Sequence, residues 1–422
     1  MKKLLPLIAL IPILFACSNQ MEILIDDSIE ENSHKLQIRS EKQAIEIANN
    51  VLSSSNIGSR TNDNHLTIKG VVDVIRSDFS RSNTIDTLIY ALDIENNNGF
   101  VLVAAPLNVD PILAIIDSGS FNDPQNLENA SYQLMLNATK DYVISISSND
   151  IPKFQDPIVR PDFRIPEIVD EYSIKIIQEP LVKVEWHQSW PENIYCSNNI
   201  AGCTPIAMAQ MLSYFELPKS ISYTFAEKDI NSENLNWATI KQHKRAFECN
   251  CTYSTHLSLA RLIREIGQRV NTDYSGSNAS GTNFFNVPNA IQSLSGLVPD
   301  TNGKSTTSLF AALSDNNGIA IVGNVGHSFI ADAIKHLKYR TVEYFYNLDG
   351  SLDSYQVLGE YDIRLIHYNW GWGGNCNGYF HYETLEPKQA YQNDYDNPEL
   401  SNTATYEFSS QDLYYYLYKS QH

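Results

Sequence analysis

The chain has 422 residues, 43% of them hydrophobic, which is enough apolar material for two or three packed domains. Its formal net charge of -19 argues against nucleic acid and anionic lipid headgroups as partners, because both select a basic face. No repeat period is visible, and nothing after residue 16 is apolar for long enough to span a bilayer.

The chain opens with Met1-Lys2-Lys3, then an apolar run over 4–16, then Cys17. A basic flank and so short an apolar run predict an export signal over 1–16. Leu14-Phe15-Ala16-Cys17 resembles a bacterial lipobox, so Cys17 is the expected lipidation site and 17–35 an acidic, lipid-anchored tether. A first domain is expected over 36–150. Ser40 and Gln43 have the spacing of a capping box ahead of a helix bearing Ala44, Ile47, Ala48 and Val51. Stretches 71–75, 87–92, 100–104 and 111–116 are rich in β-branched and aromatic residues and predict strands, followed by a helix over 132–146. Pro152, Pro157, Pro161 and Pro166 predict a linker over 151–177, and 178–422 is left for a second domain. The first domain holds one histidine, His65, and no cysteine, so it offers no nucleophilic chemistry.

The second domain concentrates the reactive residues. Ala201-Gly202 delivers Cys203 to the start of a helix, since Pro205 is tolerated only in a first turn and Pro218 lies just past the end. Ala207, Met208, Met211, Leu212 and Phe215 recur at helical spacing and form a buried face. A thiol at that helix N-terminus meets unpaired amides and the positive end of the dipole, which favour a thiolate and can also hold an oxyanion. A small buried thiol beside a tight turn fits the same residues. His187, His327 and His367 are the candidate bases. His327 is the best placed, after the apolar run 319–322 and a glycine-bounded turn over 323–326, although a structural histidine also fits that setting.

Gly-Cys-Thr-Pro-Ile-Ala-Met-Ala-Gln-Met from Gly202, Gly-His-Ser-Phe-Ile-Ala-Asp from Gly326 and His-Tyr-Asn-Trp-Gly-Trp-Gly-Gly from His367 together resemble the streptopain family of bacterial cysteine peptidases. Trp186-His187-Gln188 with Pro191, Asn236-Trp237 and Thr272-Asp273-Tyr274 fall in that family's order. Gly99-Phe100-Val101-Leu102-Val103 with Ser118-Gly119-Ser120-Phe121 is similar to its inhibitory propeptide. The resemblance runs from about residue 36 to near 415. It implies an α+β, papain-like fold, with a helical part carrying the nucleophile and a β-rich part carrying the histidine, preceded by an α+β propeptide domain. It further implies Cys203 as nucleophile, His327 as base, and the Cys203 amide with the Gln188 side chain as oxyanion hole. Asn369 and Trp370 would orient or cover His327, and Gly326, Ser328, Trp372 and Gly373 would line the substrate cleft. A peptide or protein substrate with an apolar side chain entering the pocket just before the cleaved residue is expected, with the chain's own propeptide as intramolecular inhibitor. Maturation is expected between 165 and 179.

Cys196, Cys249, Cys251 and Cys376 allow three pairings if all are bridged, and the sequence does not choose among them. His243, Cys249, Cys251 and His256 could offer metal ligands, but the Cys-x-Cys spacing is tighter than usual zinc knuckles, so neither metal nor cofactor is expected. The expected protein is therefore an exported precursor, anchored by lipid to an outer membrane or cell surface, with a mature form that can be released. Two other classes use much the same residues: a Cys-His acyl transferase such as a transglutaminase or amidase, and a surface binder that kept the fold without the chemistry.

Overall fold

The computed structural model describes residues 38–54, 68–76, 87–124, 130–147, 167–225, 231–248, 253–275, 280–323, 327–384 and 413–419. The expected signal, the tether, Cys17 and His65 lie outside them.

Helix α1 (Glu41–Ser54) starts on the expected box: Gln43 N–H donates to Ser40 Oγ at 3.3 Å and Ser40 N–H to Gln43 Oε1 at 2.8 Å. Its buried face, Ala44, Ile47, Ala48 and Val51, packs with Leu92, Val101, Val103 and Ile112. Those last belong to an antiparallel meander of β1 (Ile68–Arg76), β2 (Thr87–Ile94), β3 (Phe100–Ala104) and β4 (Ile112–Ile116). Its other face is covered by α2 (Ala130–Ser147), which brings Tyr132 to the rings of Phe100 and Phe121.

The second half begins with β5 (Glu167–Ile177) and α3 (Cys203–Phe215). Beyond them come β6 (Ser220–Tyr223), β7 (Asn231–Asn234), the single turn α4 (Trp237–Ile240), α5 (Tyr253–Arg269), α6 (Val287–Ser295), β8 (Thr301–Gly303) and α7 (Thr306–Asn316). Four strands complete it: β9 (Gly318–Gly323), β10 (Ser328–Tyr346), β11 (Leu352–Asn369) and β12 (Gly378–His381), with β13 (Tyr414–Lys419) returning beside β9. Helix α3 is the hub of the helical core, where Ile206, Ala207, Met208 and Met211 meet Leu262, Ile263 and Ile266 of α5 and Val287 and Ile291 of α6. A helical part and a β-rich part thus meet at α3, as the papain-like reading requires.

Two features depart from the sequence reading. The two halves share one sheet, in the order β1-β2-β3-β4-β12-β11-β10-β9-β13-β8. The junction pairs Gly378 with Ile116, Tyr379 with Ile115 and Phe380 with Ala114. Every residue of β4 is buried, so a strand apolar on both faces finds a neighbour on each edge rather than ending a separate domain. The second departure is the expected linker over 151–177. Its last eleven residues form β5, antiparallel to β10 with Tyr172 opposite Tyr339 and Asp170 opposite Thr341. The prolines stop at Pro166, and the β-branched residues beyond it then pair.

Candidate active site

Gly202 opens α3 with φ +92°, a conformation that favours glycine, and a Cβ there would stand 3.2 Å from Pro205 Cδ. That turn places Cys203, half-buried, at the helix N-terminus, with no side chain capping the free amides. His327 immediately precedes β10, which packs on α3 and pairs with β9 through Ser328 and Gly323. Nucleophile and base therefore come from the two parts of the fold and meet where these pack together.

The Cys203 thiol is bonded by the His327 ring, the Ser328 amide and the Thr204 hydroxyl. Burial alone would push it up, but these partners outweigh burial and bring it down from 9.0 to about 7. His327 is 6% exposed, and its Nε2 lies 2.8 Å from the backbone carbonyl of Trp370. A carbonyl only accepts, so Nε2 carries the hydrogen and Nδ1 is the nitrogen left to take a proton from sulfur. The Trp372 ring lies over the imidazole at 5.2 Å between centroids, backed by Trp370 at 5.2 Å and 10°. The indole N–H of Trp370 is spent on the Cys376 carbonyl at 2.9 Å.

Asn369 stands elsewhere than a direct orienting role would need. Its amide nitrogen donates to Val184 O at 2.9 Å, and its oxygen accepts from Gly371 N at 3.2 Å. It fixes the turn that aims the Trp370 carbonyl. Gln188 is half-buried, and its own carbonyl accepts from Ala201 N at 2.9 Å, two residues before the nucleophile. Of the expected cleft residues, Gly326 lies outside the described residues. Ser328 is 5% exposed and bonded through its hydroxyl to Thr204 at 2.8 Å, so its side chain is buried rather than lining an open cleft. Trp372 is part-exposed, and Gly373, with φ +68°, has His187 and Phe247 each 3.3 Å from where a Cβ would be.

The other two candidate bases are occupied. His367 is 3% exposed; its Nδ1 is 2.7 Å from Asp332 and its Nε2 is 3.1 Å from Asp117 of the first domain. His187 stacks on Phe247 at 4.8 Å and pairs with the fully buried Glu192 at 3.1 Å. Burial opposes a charge on His187, but Glu192 raises its affinity for a proton. Cys196 and Cys376 are buried, and burial pushes both thiols up. Cys249 and Cys251 lie outside the described residues. Iodoacetamide should therefore alkylate Cys203 at a rate rising through about pH 7, leaving Cys196 and Cys376 untouched until the chain unfolds. Peptide mapping of the labelled protein checks this; label on Cys376 at neutral pH would contradict it.

The sequence reading missed Thr204, Gln210 and Glu192, and the cross-domain pairs Asp117–His367 and Asp110–His381, the latter at 3.0 Å. One signal was available. Gln210 is a polar residue beside the apolar stripe of α3, in a helix otherwise apolar around it, and a fully buried amide there needs a partner.

A thiolate on a helix N-terminus, its acid-base partner on the facing sheet and a carbonyl that fixes the partner's tautomer make the second half a papain-like cysteine peptidase. Residues 183–380 match the Peptidase C10 family, and residues 37–143 match the Spi protease inhibitor. The chain is therefore a cysteine peptidase made as a zymogen, with its inhibitor attached. It is 22% identical over 329 residues to streptopain of Streptococcus pyogenes, an alignment covering 69% of this chain and 73% of that one. Among solved structures, prointerpain A of Prevotella intermedia aligns at 19% identity and TM-score 0.49, covering 79% of this chain and 96% of that one. Active interpain A of Prevotella intermedia aligns at 20% identity and TM-score 0.35, covering 56% of this chain and 92% of that one.

Proposed function

We propose that this cysteine peptidase zymogen is an endopeptidase, and that Cys203, His327 and Gln188 carry its chemistry. The thiolate of Cys203 adds to the scissile carbonyl carbon, and its oxyanion is held by the Cys203 amide and the Gln188 side chain. His327 Nδ1 gives the proton it took from sulfur to the leaving amine, freeing the new N-terminus. Water then attacks the thioester, with His327 as base, and releases the acid. The observation that carries this reading is the bond from His327 Nε2 to Trp370 O, because it leaves Nδ1 for the sulfur. Casein digestion that is blocked by an irreversible thiol-directed peptidase inhibitor and yields new N-termini tests it. Amine release without new N-termini would favour acyl transfer instead.

We also propose that Cys17 carries lipid at an outer membrane or cell surface, and that cleavage between 165 and 179, which requires β5 to leave its pairing with β10 first, separates the anchored half from the enzyme. The short apolar leader and the Cys17 context support the anchor. Radioactive fatty acid should label the wild-type chain and spare Cys17→Ala; label retained by Cys17→Ala would refute the anchor.

A further inference from the structure

We propose that Gln210 is a positioning residue for the oxyanion hole, tying the segment that bears Gln188 to the helix that bears Cys203. The inference rests on the reading of Gln188 given above. Gln210 lies seven residues after Cys203, about two turns along α3, so both residues fall on nearly the same side of one rigid element. It is fully buried, and its Oε1 accepts the Trp186 amide at 2.9 Å. Trp186 is two residues before Gln188, at the heart of the helical core.

The other half of the Gln210 side chain sharpens the point. Its Nε2 has no partner among the described residues, so the amide leaves a donor buried and unpaired. Methionine would fill a similar volume without that desolvation cost. What glutamine supplies and methionine cannot is the acceptor for Trp186. Around this contact the segment is fixed at three more points: Gly373 N donates to Trp186 O at 3.2 Å, His187 N to Glu192 Oε1 at 3.1 Å, and Ala201 N to Gln188 O at 2.9 Å. Only the bond to Gln210 comes from the body of the nucleophile helix.

The consequence is geometric. An oxyanion hole built from the Cys203 amide and the Gln188 side chain works only if both donors keep their separation to within about 0.5 Å. Misplacement by about 1 Å costs roughly a hundredfold in rate. Hanging both donors on α3 means that any small movement of the helix carries them together.

The test is a double-mutant cycle on the matured enzyme, with rates expressed per titratable Cys203 thiol so that unfolded protein does not count. Gln210→Met should lower kcat roughly 10- to 100-fold with KM within about twofold, while Cys203 alkylation keeps its rate and its pH profile. Gln210→Glu keeps an acceptor and should retain kcat to within about tenfold of wild type, well above Gln210→Met. In a Gln188→Ala background, adding Gln210→Met should change kcat by less than about threefold, because the group being positioned is gone. Full multiplication of the two losses would overturn the positioning role and leave the oxyanion reading of Gln188 standing. Unchanged turnover in Gln188→Ala would overturn that reading and this inference together. Unchanged kcat in Gln210→Met would overturn the inference alone.

Discussion

Replacing Cys203 with alanine is expected to abolish proteolysis and to leave the purified chain as an uncut precursor, whereas wild type shortens itself and gains activity. The substitution removes one sulfur atom from a half-buried position and leaves the apolar face of α3 intact, so the fold should persist. His327→Ala should lose activity on the same scale, by a factor on the order of 10⁴ or more, because nucleophile and base act as a unit. It should also cost roughly 1–3 kcal/mol of stability, since it removes the donor facing the Trp370 carbonyl. Intact-mass measurement, a peptide-substrate assay and circular dichroism read the three outcomes separately. A fully active His327→Ala enzyme would move the base to His187, because both ring nitrogens of His367 already face carboxylates.

The second large effect concerns the hold of the propeptide. His367 on β11 stands between Asp332 of β10 and Asp117 just beyond β4, with the Tyr379 ring of β12 edge-on at 5.0 Å. Lys335, itself buried over the Tyr379 ring at 3.7 Å, is a cation that also faces Asp117; burial lowers it to about 8, against the pull of Asp117 and Glu179. Burial opposes the charge on His367, but the two carboxylates outweigh it and raise the group from 6.5 to about 9. A group raised on folding stabilises the folded form fully below its unfolded value and loses that contribution as pH climbs through the folded one. The His367 contribution to the precursor, on the order of 3 kcal/mol, should therefore be complete below about pH 6.5 and gone above about pH 9. Melting of the uncut Cys203→Ala precursor from pH 6 to 10 should show this decline, and His367→Gln should flatten it at a lower baseline. Identical profiles in the two proteins would show that the cluster does not hold the halves together. Asp117→Asn should let wild-type precursor leak activity at neutral pH, which a fluorogenic peptide assay measures.

Local features were legible in the sequence because they depend on neighbouring residues. The Ser40–Gln43 box, the strands around Asn96-Asn97-Asn98-Gly99 and the proline-bounded α3 follow from capping, turn and periodicity rules, and all three are present. The pairing of β4 with β12 joins residues more than 250 positions apart, and no local rule selects one apolar edge for another. β5 was hidden for a related reason: its neighbour is the middle of a 19-residue strand that a short motif reading does not anticipate. At the site, Cys203 and His327 are identified by residue type and motif. The acceptor that orients His327 is a main-chain carbonyl, a group every residue carries, so the sequence could point to the Asn369-Trp370 pair without saying which atom acts. Asn369 then turned out to work one step back, on the turn that presents that carbonyl.

The junction between the halves also bears on how the enzyme can change over evolution. A side chain at Gly378 would press onto the Ile115 carbonyl and fall 2.8 Å from Ile116 Cα, both in the strand that maturation discards. The constraint on this position comes from the departing partner, while the strand that bears it stays with the peptidase. Gly378 is thus fitted to the precursor, in which the two halves share a sheet, and a larger residue there would loosen the seam with the inhibitor half first.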